Sequence, residues 1–146
     1  LAGFTRLTEK IIWQAIENSG VSYEDWTARK EVRETPVLHL YLESKDDYIT
    51  SGSQVATAIH EQLSKLDSDY AALEAMLGLK PLEVTLLPKG AFPNYISQRR
   101  AEGADLAHLK PPHINPSDRI LSLLGVGVEV IPTVKRVTEV EAPATR

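Results

Sequence analysis

The sequence predicts an α+β fold, with a mixed, mostly antiparallel sheet of about four strands and amphipathic helices packed mainly on one face. Two observations predict this class. Segments with apolar residues at helical spacing are interspersed with short alternating or continuously apolar segments, and their order departs from strict β-α alternation. With 146 residues, of which 42% are hydrophobic, the chain suits one domain. We predict a single domain over residues 1–137 and a flexible tail over residues 138–146.

The first part of the chain predicts one helix and a hairpin of two strands. The helix is LTEKIIWQAIENSG, with Thr8 as its N-terminal cap and Gly20 at its end. VSYEDWTARKEV alternates as a strand does, and PVLHLYLE is more apolar. Because the link between these two segments is short and charged, we expect them to pair antiparallel.

Two helices are predicted next in the sequence. SGSQVATAIHEQLSKL has one apolar stripe and is expected to be capped near Ser51 or Ser53, with His60 on its polar flank. DSDYAALEAMLGL is shorter, with Asp67 as a cap or turn former and Gly78 at its end.

A buried strand, a helix and an irregular segment are predicted after these helices. PLEVTLLPKG is the strand, and AFPNYISQRRAEG is a helix that tolerates Pro93 in its first turn and ends at Gly103. Later, Ser117 is expected to cap a short helix. VGVEVIPTVKRV is expected to close the sheet as an edge strand, because its proline cannot donate a ladder hydrogen bond.

The segment GADLAHLKPPHINPSD, residues 103–118, predicts a loop that holds its shape around Lys110. Two prolines follow the lysine. Each proline fixes its own φ angle and restricts the backbone conformation of the residue before it. A preorganised ammonium group is well suited to bind a phosphate or a carboxylate. The alternative is a solvated loop lysine without a role.

Composition argues against several classes of partner. The formal net charge is −4 and the isoelectric point about 5.6. We therefore expect that the chain does not bind nucleic acid, because such binding requires a basic protein surface. No apolar run is long enough to cross a bilayer, and the absence of cysteine is compatible with the cytoplasm, where we place the protein. We expect no metal site, because Lys110 lies between His108 and His113 and would repel a cation.

The stretch PLEVTLLPKGAFPNYISQRRAEGADLAHLKPP resembles part of the Gretchen Hagen acyl acid–amido synthetases, also called the auxin-responsive promoter family. The family pattern has a Pro-Leu strand, a Gly-x-Phe turn, a helix, a glycine and a Gln-x-Lys-x-Pro-Arg loop. The matching positions here are Pro81, Leu82, Gly90, Phe92, Gly103, Lys110 and Pro112. The similarity covers roughly residues 5 to 124, and it departs from the pattern at His108 and His113, which replace the glutamine and the arginine.

This resemblance implies an adenylate-forming ligase. Family members join an acyl acid to ATP, release pyrophosphate and transfer the acyl group from acyl-AMP to an amino-acid amine. A large N-terminal adenylating domain binds ATP, with magnesium, and the acyl acid, while a small C-terminal domain closes over the site as a lid. The resemblance implies that this chain is that lid, inactive alone, with Lys110 as its catalytic residue and with Lys110 and His113 as its contacts to ATP.

Two other classes of function stay open at the level of sequence. One is a free-standing α+β interaction or ligand-binding module that descends from such a lid and has no catalytic duty. The other is a structural or oligomerising domain, which would present a large apolar patch. The chain starts at Leu1 without a methionine, which we take as favouring a fragment of a longer enzyme.

Overall fold

The computed structural model describes residues 7–45 and 52–126. These residues form five α-helices, three β-strands and one 3-10 turn. In chain order the elements are α1 (Glu9–Ser19), β1 (Tyr23–Val32), β2 (Pro36–Ser44), α2 (Gly52–Leu66), α3 (Ser68–Leu77), β3 (Leu82–Leu86), α4 (Ala91–Ala101), the 3-10 turn (Leu106–His108) and α5 (Asp118–Leu123). Among these helices, none is both long enough and apolar enough to cross a membrane.

The described part of the chain divides into two compact units. The first unit contains the described residues up to residue 89 together with residues 112–115, and therefore holds the sheet and helices α1, α2 and α3. The second unit contains residues 90–111 and residues 116–126, with α4, the 3-10 turn and α5.

The sheet of the first unit is mixed, with the strand order β1-β2-β3. Strands β1 and β2 form the predicted antiparallel hairpin, whereas β2 and β3 are parallel. A parallel pair needs a long crossover, which α2 and α3 provide. The α+β class is thus confirmed, but the described residues form three strands, not the predicted four or so. The segment predicted as the last strand falls almost entirely outside the described residues, which end at residue 126.

Strand β2 supplies the centre of the hydrophobic core. Its alternate residues Leu38, Leu40 and Leu42 are fully buried, and they belong to one cluster with apolar residues of α1 and α2. The cluster members on α1 and α2 are Ile12, Ala15, Ile16, Val55, Ile59 and Leu63, and Tyr70 of α3 also belongs to it. Because alternate side chains of a strand point to the same face, these helices cover one face of the sheet.

On the other face of β2, the buried side chains are the polar ones of His39, Tyr41 and Glu43. The imidazole of His39 stacks on the ring of Tyr41 at 4.1 Å between centroids, with its Nδ1 at 3.0 Å from Glu31 and its Nε2 at 2.6 Å from Thr85. Burial by itself would raise the pKa of Glu31, but hydrogen bonds from His39 and Arg33 outweigh it and lower that pKa to about 2. His39 is therefore a packed histidine of the central strand.

Local sequence signals set most of the helix ends. The side chain of Thr8 accepts a hydrogen bond from the amide of Ile11 at 3.2 Å, which confirms the predicted cap of α1. Gly52, the first residue of α2, lies against strand β3. A side chain there would not fit, because its Cβ atom would lie 2.5 Å from the carbonyl oxygen of Val84. Ser51, one of the two predicted caps of α2, lies outside the described residues.

The prediction that His60 lies on the polar flank of α2 is wrong. Its side chain is buried rather than on a polar flank, with Nδ1 at 2.6 Å from the hydroxyl of Tyr70 and Nε2 at 3.0 Å from Glu74. Both partners belong to α3, which packs against α2 and covers that side of the helix. Periodicity along one helix does not reveal which neighbour will cover its polar face.

We expect Leu63→Ala to destabilise the chain by roughly 2–5 kcal/mol, because a buried leucine leaves a cavity when it is truncated. Leu66→Ala is the matched control in the same helix, since Leu63 is 0% exposed and Leu66 is 40% exposed. Urea unfolding monitored by circular dichroism measures both free energies of unfolding. Equal losses for the two variants would contradict the placement of α2 on the sheet.

Candidate functional site

Lys110 has an exposed side chain in the second unit, on a backbone that is held in place. The residues on either side of it, Leu109 and Pro111, are buried. Gly103 ends α4 with a left-handed φ of 88°, as the sequence predicts. Within residues 7–45 and 52–126, no carboxylate forms a hydrogen bond or ion pair with Lys110. The ammonium group is thus presented to solvent by a packed segment.

His108 interacts with a residue of its own turn. Its Nδ1 lies 2.6 Å from Oδ1 of Asp105 across the 3-10 turn, and both side chains are exposed. The hydrogen bond with His108 lowers the pKa of the Asp105 carboxyl. The described residues include no group of three or more His, Cys, Asp or Glu side chains that could hold a metal ion.

His113 lies in the first unit, between two carboxylates of different elements. Its Nδ1 is 2.7 Å from Oε2 of Glu9 on α1, and its Nε2 is 2.8 Å from Oδ1 of Asp25 on β1. Its ring stacks on the buried indole of Trp26, with centroids 4.3 Å apart and an interplanar angle of 4°. Burial alone would lower the pKa of His113, but the hydrogen bonds to Asp25 and Glu9 outweigh it and raise that pKa.

Residues 112–115 are also bound to β1 through their backbone. The hydroxyl of Thr27 donates to the carbonyl oxygen of Pro112 at 2.7 Å. The amide of Ala28 donates to the carbonyl oxygen of His113 at 2.7 Å, and the amide of Asn115 donates to that of Ala28 at 2.8 Å. This parallel bridge pairs the outer edge of β1, which would otherwise leave backbone groups unpaired.

Aromatic residues complete the surroundings of His113. Trp13 meets the imidazole edge-on, with 4.6 Å between ring centroids, and its indole nitrogen donates to the hydroxyl of Tyr23 at 2.7 Å. That hydroxyl in turn donates to Glu17. Burial, followed by the hydrogen bond to Glu17, raises the pKa of Tyr23 to about 12.

The partners of His113 are not evident from the sequence. By local pattern, Glu9 is an acidic residue in the first turn of α1 and Asp25 is one residue of the alternating segment that forms β1. They lie 104 and 88 positions from His113 in the sequence. No local pattern carries that information. The two predicted site residues fall in different units, Lys110 in the second and His113 in the first.

Comparison with known families identifies the domain. The model of the GH3 family C-terminal domain matches residues 7–119. The chain belongs to the GH3 family. This match confirms the resemblance to the Gretchen Hagen acyl acid–amido synthetases, and it includes the whole segment from α1 to the start of α5.

Solved structures support the same fold. A GH3.15 acyl acid amido synthetase superimposes with a TM-score of 0.60 at 18% sequence identity, over 80% of this chain and 23% of that one. An AtGH3.15 acyl acid amido synthetase in complex with 2,4-DB gives a TM-score of 0.57 at 17% identity, over 87% of this chain and 26% of that one. This GH3 domain thus spans about a quarter of the solved chains that it matches. No curated protein matches the sequence significantly.

We expect Thr27→Val to lower the free energy of unfolding by about 1 kcal/mol, because it removes the hydroxyl that binds the carbonyl group of Pro112. Thr57→Val makes the same chemical change on the exposed side of α2, where the hydroxyl bonds only within its own helix. Its effect should stay within about 0.5 kcal/mol. Chemical denaturation compares the two variants, and equal stabilities would argue against attachment of residues 112–115 to β1.

Proposed function

We propose that this domain is the C-terminal lid of an ATP-dependent acyl acid–amido synthetase, and that Lys110 is the cation that it contributes to acyl-AMP formation. Membership in the GH3 family supports the class of enzyme. The proposal is also supported by length, since the matched synthetase chains are about four times as long as the segment aligned here.

The role proposed for Lys110 rests on one observation, which is that its side chain is exposed on a packed backbone. Its side chain is exposed and has no described carboxylate partner, while its neighbours in the chain are buried. An ammonium group already neutralised by a carboxylate would have little attraction left for a phosphate. A packed backbone also reduces the conformational entropy that a flexible loop would lose when it binds.

The proposed reaction has two steps. An oxygen of the acyl acid carboxylate bonds to the α-phosphorus of ATP and pyrophosphate leaves, which gives acyl-AMP. The amine of an amino acid then bonds to the acyl carbon, AMP leaves, and the amine loses a proton. In the first step negative charge accumulates on the departing pyrophosphate, and a positioned ammonium group stabilises such charge. Closure of a lid would deliver Lys110 at that moment.

The remaining components belong to the rest of the proposed enzyme. The partner is the large N-terminal adenylating domain, through which the small acyl acid and amino acid would be bound. Magnesium would enter with ATP. A location in the cytoplasm is part of the same proposal. Contact of His113 with ATP stays a prediction, but both of its ring nitrogens are hydrogen-bonded to carboxylates, so we assign the anion contact to Lys110.

In the full-length enzyme that this proposal implies, Lys110→Ala should slow ATP–pyrophosphate exchange roughly 100-fold or more, because one group aimed at the developing charge is removed. Lys110→Arg keeps the charge and should retain more activity than Lys110→Ala. Lys65→Ala, which removes an exposed lysine from α2, is the control and should leave the rate unchanged. Exchange that is unaffected by Lys110→Ala would refute the assigned role.

The gene itself provides an independent test of the enzyme class. The proposal requires an adenylating domain encoded upstream of Leu1 in the same reading frame. A start codon close to Leu1 would contradict it and would favour the free-standing module.

A further inference from the structure

The position of His113 points to a role other than contact with a ligand. Both ring nitrogens lie within hydrogen-bonding distance of a carboxylate oxygen, at 2.7 Å from Glu9 and 2.8 Å from Asp25. A neutral imidazole carries one N–H, so it can donate to only one of them, and its other nitrogen would direct a lone pair at the second oxygen. With both carboxylates ionised, only the imidazolium form satisfies both contacts.

We infer that His113 is a positioning residue, whose imidazolium links α1 to β1 and thereby locks residues 112–115 on the edge of the sheet. The lock consists of the two carboxylates, the stacked indole of Trp26 and the backbone bridge at Ala28. The inference rests on the proposed function in one respect. Lys110, the proposed catalytic cation, lies three residues before His113 in the chain. The lock therefore fixes the residues that directly follow the segment containing Lys110.

The lock should depend on pH in a defined direction. Among the described residues, the charged groups that face His113 are Glu9 from α1 and Asp25 from β1. Since the pKa of His113 is raised in the folded chain, its charged contacts are fully formed below its ordinary value of 6.5, and they are lost as pH rises through the raised pKa. Residues 112–115 should then separate from β1 more often.

Amide hydrogen exchange detects this local opening directly in the 146-residue chain. The reporters are the amides of Ala28 and Asn115, which form the bridge, and the reference is the amide of Leu38, which donates to Pro81 on the far side of the sheet. We expect His113→Gln to reduce protection of both reporters roughly tenfold or more at pH 6, because it removes charge-assisted hydrogen bonds. Leu38 should keep its protection.

Matched variants separate the lock from general destabilisation. His108→Gln changes an exposed histidine of the same loop and should alter none of the three amides. Glu9→Gln removes one of the two charges that hold His113 protonated, so it should shift the pH at which reporter protection declines to a lower value. Glu17→Gln is its control on α1, because Glu17 bonds to Tyr23, and it should leave that pH unchanged.

Each result decides the inference. Wild-type reporter protection, after correction for intrinsic exchange rates, should decline with rising pH, and this decline should be absent from His113→Gln. Unchanged reporter protection in His113→Gln would overturn the inference. So would a loss of the same size at Leu38, since that would indicate global unfolding, or an equal pH shift in Glu9→Gln and Glu17→Gln.

The full-length enzyme links the lock to catalysis. His113→Gln should lower ATP–pyrophosphate exchange at pH 6 and flatten its decline toward higher pH, whereas a purely structural role would leave the shape of that pH profile unchanged. The two hypotheses fail separately. If Lys110→Ala has no effect on exchange, the proposed function fails while the lock can still be measured by hydrogen exchange. If Lys110→Ala slows exchange and His113→Gln alters neither the rate nor the profile, the positioning role fails.

Discussion

Three distant parts of the chain meet through one protonated ring. Glu9 at the start of α1 and Asp25 in β1 both hold the imidazole of His113, whose own backbone pairs with Ala28 on the edge of the sheet. Each of these partly shielded carboxylates contacts one nitrogen of the ring, and a positive charge on the ring offsets the cost of placing two negative groups around it. The charge on His113 thus adds to the backbone bridge and to the Thr27 hydroxyl in attaching residues 112–115 to the edge of β1.

The central strand makes this arrangement possible. β2 buries leucines against α1 and α2 on one face, and on the other it buries the polar network of His39, Tyr41 and Glu31. Because every polar group of that network has a partner, the polar face is compatible with burial. Strand β1 pairs with this well-packed central strand. Residues Thr27 and Ala28 of β1 in turn bind residues 112–115.

Much of the fold follows from local patterns, and the exceptions share one cause. The caps of α1 and α3, the hairpin and the helix ends at Gly20, Gly78 and Gly103 are all predicted from neighbouring residues. His60 is mispredicted because the groups that bury it come from the next helix. The parallel pairing of β2 with β3 was equally invisible, since two strands separated by two helices show no signal for their relative direction.

The amino-acid sequence alone determined the α+β class, the approximate positions of the described helices and strands, and the presence of a lysine in a segment stiffened by prolines. It also contained the motif order that matches the GH3 family. Only the tertiary structure decided what His113 does, because its partners Glu9 and Asp25 lie 104 and 88 positions away. Helical and strand periodicities extend over a few residues. A contact between residues about 100 positions apart forms only when packing of α1 and the sheet brings those residues together.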